Sequence, residues 1–155
     1  MWNNKNSIED MIIFEDKDIL VCHKAAGIAV QNARIGAADM ESSLKNYLAL
    51  KNTETVPYLG VVHRLDQPVS GILVFARTPA AAKNLNQQLQ NDQFEKYYQA
   101  VVCGALPDSG TLTDYLVKDG RTNTSKKVPK GTKGAKESRL SYECLKTLED
   151  PALAA

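Results

Sequence analysis

The chain has 155 residues, 43% of them apolar and 24% charged, and a formal net charge of +1. That length suits a single domain able to bury roughly 70% of the surface its unfolded chain exposes, and the composition excludes a chain disordered throughout. Three widely spaced cysteines (Cys22, Cys103 and Cys144), no C-x-x-C pair and only two histidines give a zinc site no support, and no apolar run is long enough to span a bilayer.

Met11 to Phe14 and Ile19 to His23 read as two short strands around the polar turn Glu15-Asp16-Lys17-Asp18. Gly27 breaks the next segment, which Ile28-Ala29-Val30 resumes. Asp39 is placed to cap a helix over Met40 to Lys51, in which Leu44, Tyr47, Leu48 and Lys51 follow the i, i+3, i+4, i+7 spacing. A loop containing Pro57 follows. Val61 to Ala76 then holds two apolar strands separated by His63-Arg64-Leu65-Asp66 and a Pro/Ser/Gly turn. Thr78-Pro79 is a helix start, with Ala82, Leu85 and Leu89 along one face to about Gln90.

Phe94 to Cys103 is rich in aromatic and β-branched residues and predicts a strand with Phe94, Lys96, Tyr98, Ala100 and Val102 on one face. Tyr97, on the other face, is the expected core residue. Thr111 to Val117 predicts another strand, and Ser138 to Leu145 a last one with Leu140, Tyr142 and Cys144 inward. All three cysteines fall in predicted apolar strands, so buried, reduced thiols are expected. Between the last two strands, glycines and Pro129 predict a basic loop over 118–137. Strands outnumber helices and short turns join several neighbours. The expected fold is therefore α+β, with a mixed, largely antiparallel sheet and flanking helices, over one domain spanning 1–155.

Charge is unevenly distributed. Residues 1–60 carry six Lys/Arg against eight Asp/Glu, whereas Lys118 to Arg139 holds eight basic residues against Asp119 and Glu137. A basic stretch in a near-neutral chain has two readings, a solvated loop or a polyanion contact. The tetrad also has several. Arg64 and Asp66, two apart in an extended segment, point to one side and could form a plain salt bridge closing the turn. An ionised carboxylate in a cleft can equally be a nucleophile, a general base or an electrostatic stabiliser, as in sugar C1′ chemistry. A hydrolase built on Ser70, His63 and Asp66 lacks the G-x-S-x-G elbow.

The tetrad with Ser70-Gly71 and its apolar strand resembles the signature of the RluA-type pseudouridine synthases, which isomerise uridine in ribosomal or transfer RNA. Lys96, Tyr98, Ala100, Val102 and Gly104 are similar to the family's K-x-Y-x-A-x-V-x-G strand, and Glu15 to Val21 with Lys24 and Ala26-Gly27 to its opening strand pair. The resemblance covers residues 11–148. It implies a pseudouridine synthase fold, Asp66 as the catalytic carboxylate, Arg64 entering the RNA stack in place of an extruded nucleotide, and Tyr98 packing on the flipped uracil. It implies an RNA partner, rRNA or tRNA, contacted through Lys126, Lys127, Lys130 and Lys133. It also implies no cofactor and no metal. Without a basic-then-apolar leader or a membrane-length apolar run, no membrane partner and a cytoplasmic location are expected. Ala25 and Val69 depart from the family's common proline and threonine.

No Gly-Arg-x-His motif occurs in the chain. In the family, that later motif supplies a basic partner for the catalytic carboxylate. The chain therefore reads as the N-terminal two-thirds of a catalytic domain. A weakly active or inactive protein, self-associating through an exposed sheet edge, is the matching expectation. The alternative is a non-catalytic RNA-binding fragment or pseudoenzyme.

Overall fold

In the computed structural model, residues 7–32, 38–54, 56–91, 93–122 and 124–147 are described. The stretch from Glu149 to Ala155, to which the sequence assigned no element, lies outside them. The chain divides into two compact units, 1–97 and 98–155.

The first unit opens with a single 3-10 turn, Glu9–Met11. The strands β1 (Ile12–Glu15) and β2 (Ile19–Lys24) form a hairpin across the expected polar turn. There, the Asp16 carboxylate accepts the backbone N–H groups of Asp18 and Ile19 at 2.8 and 2.7 Å. Ile28 to Val30 forms no strand. The carbonyls of Ala29 and Val30 accept the N–H groups of Met40 and Glu41 at 3.0 and 3.1 Å, satisfying the start of helix α1 (Met40–Lys51). Asp39 caps α1 as predicted: one carboxylate oxygen takes the Ser42 N–H and the other takes that of Asn32, each at 2.7 Å.

Strand β3 (Gly60–Val61) pairs with β4 (Gly71–Ala76), and helix α2 (Pro79–Gln90) follows with Thr78 as its cap. The four strands run in the order β1-β2-β4-β3, every pair antiparallel. Period-2 alternation sends Leu20 and Cys22 of β2 and Leu73 and Phe75 of β4 to one face. There they pack with Met40, Leu44 and Leu48 of α1, and with Val30 and Leu59. Helix α2 carries no fully buried residue; its predicted stripe of Ala82, Leu85 and Leu89 is half-buried. It comes close enough to β3 that a side chain at Gly60 would stand 3.2 Å from the Ala82 methyl.

The second unit is a three-stranded antiparallel sheet in the order β6-β5-β7. Its strands are β5 (Ser109–Asp119), β6 (Thr124–Val128) and β7 (Lys136–Glu143). Two expectations change here. The basic loop over 118–137 contains strand β6, because Thr124 to Val128 finds a ladder partner in Tyr115 to Asp119. The Phe94 to Cys103 segment forms no strand among the described residues. Its β propensity has no ladder to serve, and Tyr97 and Tyr98 are both exposed. Tyr97 is thus not a core residue. Cys22 is buried, but Cys103 and Cys144 are exposed, so the expectation of three buried thiols holds for one. Leu140 likewise lies exposed in place of facing inward.

Candidate functional site in the loop between two strands

The tetrad occupies the loop from β3 to β4, and its residues alternate in role. His63 and Leu65 are half-buried; Arg64 and Asp66 are exposed. Leu65 packs against the core of the first unit, and a Cβ on Gly71 would stand 3.0 Å from its Cδ1. Gly71 also has φ +155, in the range that favours glycine, so this position suits a residue with no side chain twice over. His63 extends the strand pairing by other means: the Val74 backbone N–H donates to its Nε2 at 3.1 Å. Its ring tilts at 58° against Phe94, with centroids 5.4 Å apart. Burial, helped by the charge of Lys96, holds the imidazole below its ordinary pKa. With Nε2 occupied by the Val74 N–H, the other ring nitrogen carries the proton, and the ring has no free acceptor to serve as a base for Ser70.

Arg64 and Asp66 form no ion pair with one another among the described residues, so a plain salt bridge does not close this turn. Main-chain bonds do so. The Val69 N–H donates to the Asp66 carbonyl at 3.0 Å. The Gln67 carbonyl accepts from the Gly27 N–H at 2.8 Å, and the Gln67 side-chain amide returns a bond to the Gly27 carbonyl at 3.0 Å. The buried Lys24 ammonium donates to the Gln67 carbonyl at 3.1 Å, and also to the carbonyls of Ile28 at 2.8 Å and Ala25 at 3.3 Å. The sequence reading missed this role for Lys24. The available signal was a lysine at an inward position of an apolar strand, in register with Leu20 and Cys22.

A carboxylate held this way presents a charged oxygen pair to solvent from a backbone fixed on both sides. A concavity of about 200 Å³ lies elsewhere in this unit, lined by Leu48, Asn52, Val56, Pro57, Tyr58 and Arg77; none of these belongs to the tetrad loop. Among the described residues no helix is long and apolar enough to cross a membrane.

In the second unit Tyr98 is exposed. The four lysines expected at a polyanion differ in their surroundings. Lys127 is paired across the ladder with Leu116 and forms an ion pair of 2.5 Å with Asp114. Lys126 lies opposite Val117, on the other face of the hairpin. The Lys130 ammonium sits 5.7 Å from the centre of the Tyr115 ring. Lys133 is exposed in the turn before β7.

Comparison with known proteins bears on both units. The chain is 41% identical over 102 residues to the ribosomal large subunit pseudouridine synthase D of Xanthomonas campestris, covering 64% of this chain and 30% of that protein. It is 29% identical over 140 residues to the tRNA pseudouridine synthase C of Yersinia pestis, covering 90% of this chain and 52% of the relative. The chain thus spans about a third to a half of the length of these relatives. Among solved structures, human RNA pseudouridylate synthase domain containing 4 superposes with a TM-score of 0.68 at 18% identity, covering 91% of this chain and 56% of that one. The α+β fold is that of the pseudouridylate synthase domains. A family model for RNA pseudouridylate synthase matches residues 18–154, and the chain belongs to that family.

Proposed function

We propose that this chain isomerises uridine to pseudouridine in structured ribosomal or transfer RNA, with Asp66 as the catalytic carboxylate. The observation that carries the reading is the exposed Asp66 on a loop whose neighbouring Leu65 and Gln67 are both tied to the first unit. In the reaction the C1′–N1 bond breaks and a C1′–C5 bond forms; N1 gains a proton and the C5 proton passes to water. Asp66 acts on the ribose or base while the glycosidic bond is open, as nucleophile or as base. A stacked uridine shields C1′ and C5, so the nucleotide is flipped out. Arg64 fills the vacated place in the stack, and Tyr98 packs on the uracil. No cofactor or metal is required, and the protein works in the cytosol.

Phosphate contacts come from the basic hairpin and need only charge. Lys126, Lys130 and Lys133 carry them. Lys127, already paired with Asp114, contributes less. The proposal supposes that residues 1–155 belong to one catalytic domain.

The test is tritium release from RNA labelled at uridine C5. Release by the wild-type chain that D66N abolishes supports the proposal; release by D66N at the wild-type rate overturns the role of Asp66. A second reading, RNA binding without isomerisation, is favoured by one observation: the basic hairpin lies in the unit that does not hold Asp66. Equal RNA binding by wild type and D66N, with no release from either on rRNA or tRNA and none from a longer protein that contains residues 1–155, would establish it.

A further inference from the structure

We infer that His63 is a proton-operated latch on the loop that carries Arg64 and Asp66: the unprotonated imidazole accepts the Val74 main-chain N–H, and a proton on that nitrogen breaks the bond and frees the β3 end of the loop. Its effect on isomerisation rests on the catalytic reading of Asp66; the latch itself does not.

Strand β3 is two residues long, and its ladder with β4 stops at the Val61–Phe75 pair. The Val74 N–H lies just past that pair, and a side chain takes it in place of a strand carbonyl: His63 Nε2 accepts it at 3.1 Å. An amide or hydroxyl oxygen could accept the same N–H at every pH. Imidazole is the acceptor that one added proton removes. In the imidazolium both nitrogens are donors, so Nε2–H and the Val74 N–H would face one another. The groups around the ring oppose that proton. Phe94 lies tilted against it with centroids 5.4 Å apart, β4 from Gly71 to Ala76 has no titratable side chain, and β3 has none. Among the described residues the charge that acts on the ring is the Lys96 ammonium, of the same sign. Arg64 and Asp66, its neighbours in the loop, are exposed to solvent.

Burial, with Lys96 adding to it, lowers the imidazole from its ordinary 6.5. A group with a depressed folded value keeps its contribution above the unfolded value and loses it as pH falls through the folded one. The latch is therefore shut above pH 6.5 and opens below it. The other end of the loop is held by the bond from the Gly27 N–H to the Gln67 carbonyl, in which nothing titrates. Acid thus loosens the β3 end alone. Asp66 is then carried on a loop tied at one side, and a misplacement of about 1 Å at a reacting group costs on the order of 10²-fold in rate.

The test is NMR on wild type, H63Q and H63F across a range of pH. Glutamine offers an oxygen near the position of Nε2 and gains no proton. Phenylalanine keeps a ring against Phe94 and removes the acceptor. In wild type the protection of the Val74 amide against exchange, relative to that of Leu73, is expected to fall on the order of tenfold between about pH 7.5 and 5.5. In H63Q the ratio should stay high throughout, and in H63F low throughout. A wild-type ratio that does not move with pH, or that moves equally in H63Q, overturns the latch. Should H63F fail to fold, wild type and H63Q decide the question alone. In the tritium assay wild type should lose kcat over the same range, and H63Q several-fold less of it. Superposed pH profiles overturn the link from the latch to Asp66. Absence of isomerisation by wild type and H63Q at every pH would sink the proposed function, while the protection ratios would still decide the latch.

Discussion

Residues 1–97 fold around nine packed apolar side chains drawn from two strands, a helix and two connecting segments. Residues 98–155 form a sheet of three well-paired strands in which no described residue is buried. Both units are built on antiparallel ladders, so the kind of strand pairing does not separate them. What separates them is the second layer: α1 covers one face of the first sheet, and no helix lies among the described residues of the second unit. A three-stranded sheet without a covered face has little beyond cross-strand pairs to oppose its conformational entropy. In the proposed function the first unit fixes the carboxylate and the second presents charge to the RNA, where tight placement matters less.

The sharpest way to break this contrast is through the thiols. Burial, with the charge of Glu15 adding to it, pushes the Cys22 thiol up to about 12. At pH 8 roughly one Cys22 in ten thousand is then thiolate, against about one in four for an ordinary cysteine. Cys103 and Cys144 are exposed. We expect two thiols of the native chain to label rapidly with a small disulfide reagent, and Cys22 to label only on unfolding, as read by mass spectrometry of digested protein. Labelling of Cys22 as fast as the other two would mean that the first unit opens as readily as the second.

Next in size are truncations of apolar side chains. Phe75 is fully buried, and Phe75→Ala should cost about 3–5 kcal/mol in chemical denaturation. Leu112 is half exposed opposite Leu140, and Leu112→Ala should cost below about 1 kcal/mol. Equal costs would show that the second unit has a covered apolar face after all.

The first unit was more legible in sequence than the second for the same reason. Asp39, Thr78 and Pro79 mark helix starts through local chemistry, so the start of each helix was legible in the sequence. The strands beside the tetrad are short apolar runs between polar turns, a pattern that buried strands produce. Phe94 to Cys103 misled because β propensity states only that a residue fits a pleated surface; whether a partner strand is present is a long-range matter. The hairpin strand Thr124–Val128 was hidden for the opposite reason, since Thr-Ser-Lys-Lys-Val carries no apolar alternation and its ladder partner supplies the order. At the site, the sequence singled out Asp66 and Arg64 but could not show the bond from Lys24 to a carbonyl 43 residues away.

The smallest effect concerns acid stability. Glu15, at the end of β1, is drawn upward in pKa by burial. The hydrogen bonds from Lys51 at 2.9 Å and Tyr47 at 2.8 Å, with the charges of Lys51 and Arg77, outweigh burial and hold the carboxyl below its ordinary value. A carboxylate with a depressed folded pKa adds stability that is fully present above its unfolded pKa, near 4.5, and is lost as pH falls through the folded value. Asp119 in the second unit is also depressed, by the backbone N–H of Arg121 and by Thr122, but those bonds lie in an exposed turn. Glu15→Gln should therefore lower Tm at pH 7 and make less difference by pH 3. Asp119→Asn should leave the pH dependence of Tm close to that of wild type, because a charge held in an exposed turn contributes little and is screened by salt. If Asp119→Asn flattened the acid limb more than Glu15→Gln, the charge pairs that matter would lie on the uncovered sheet, and burial would not be what distinguishes the two units.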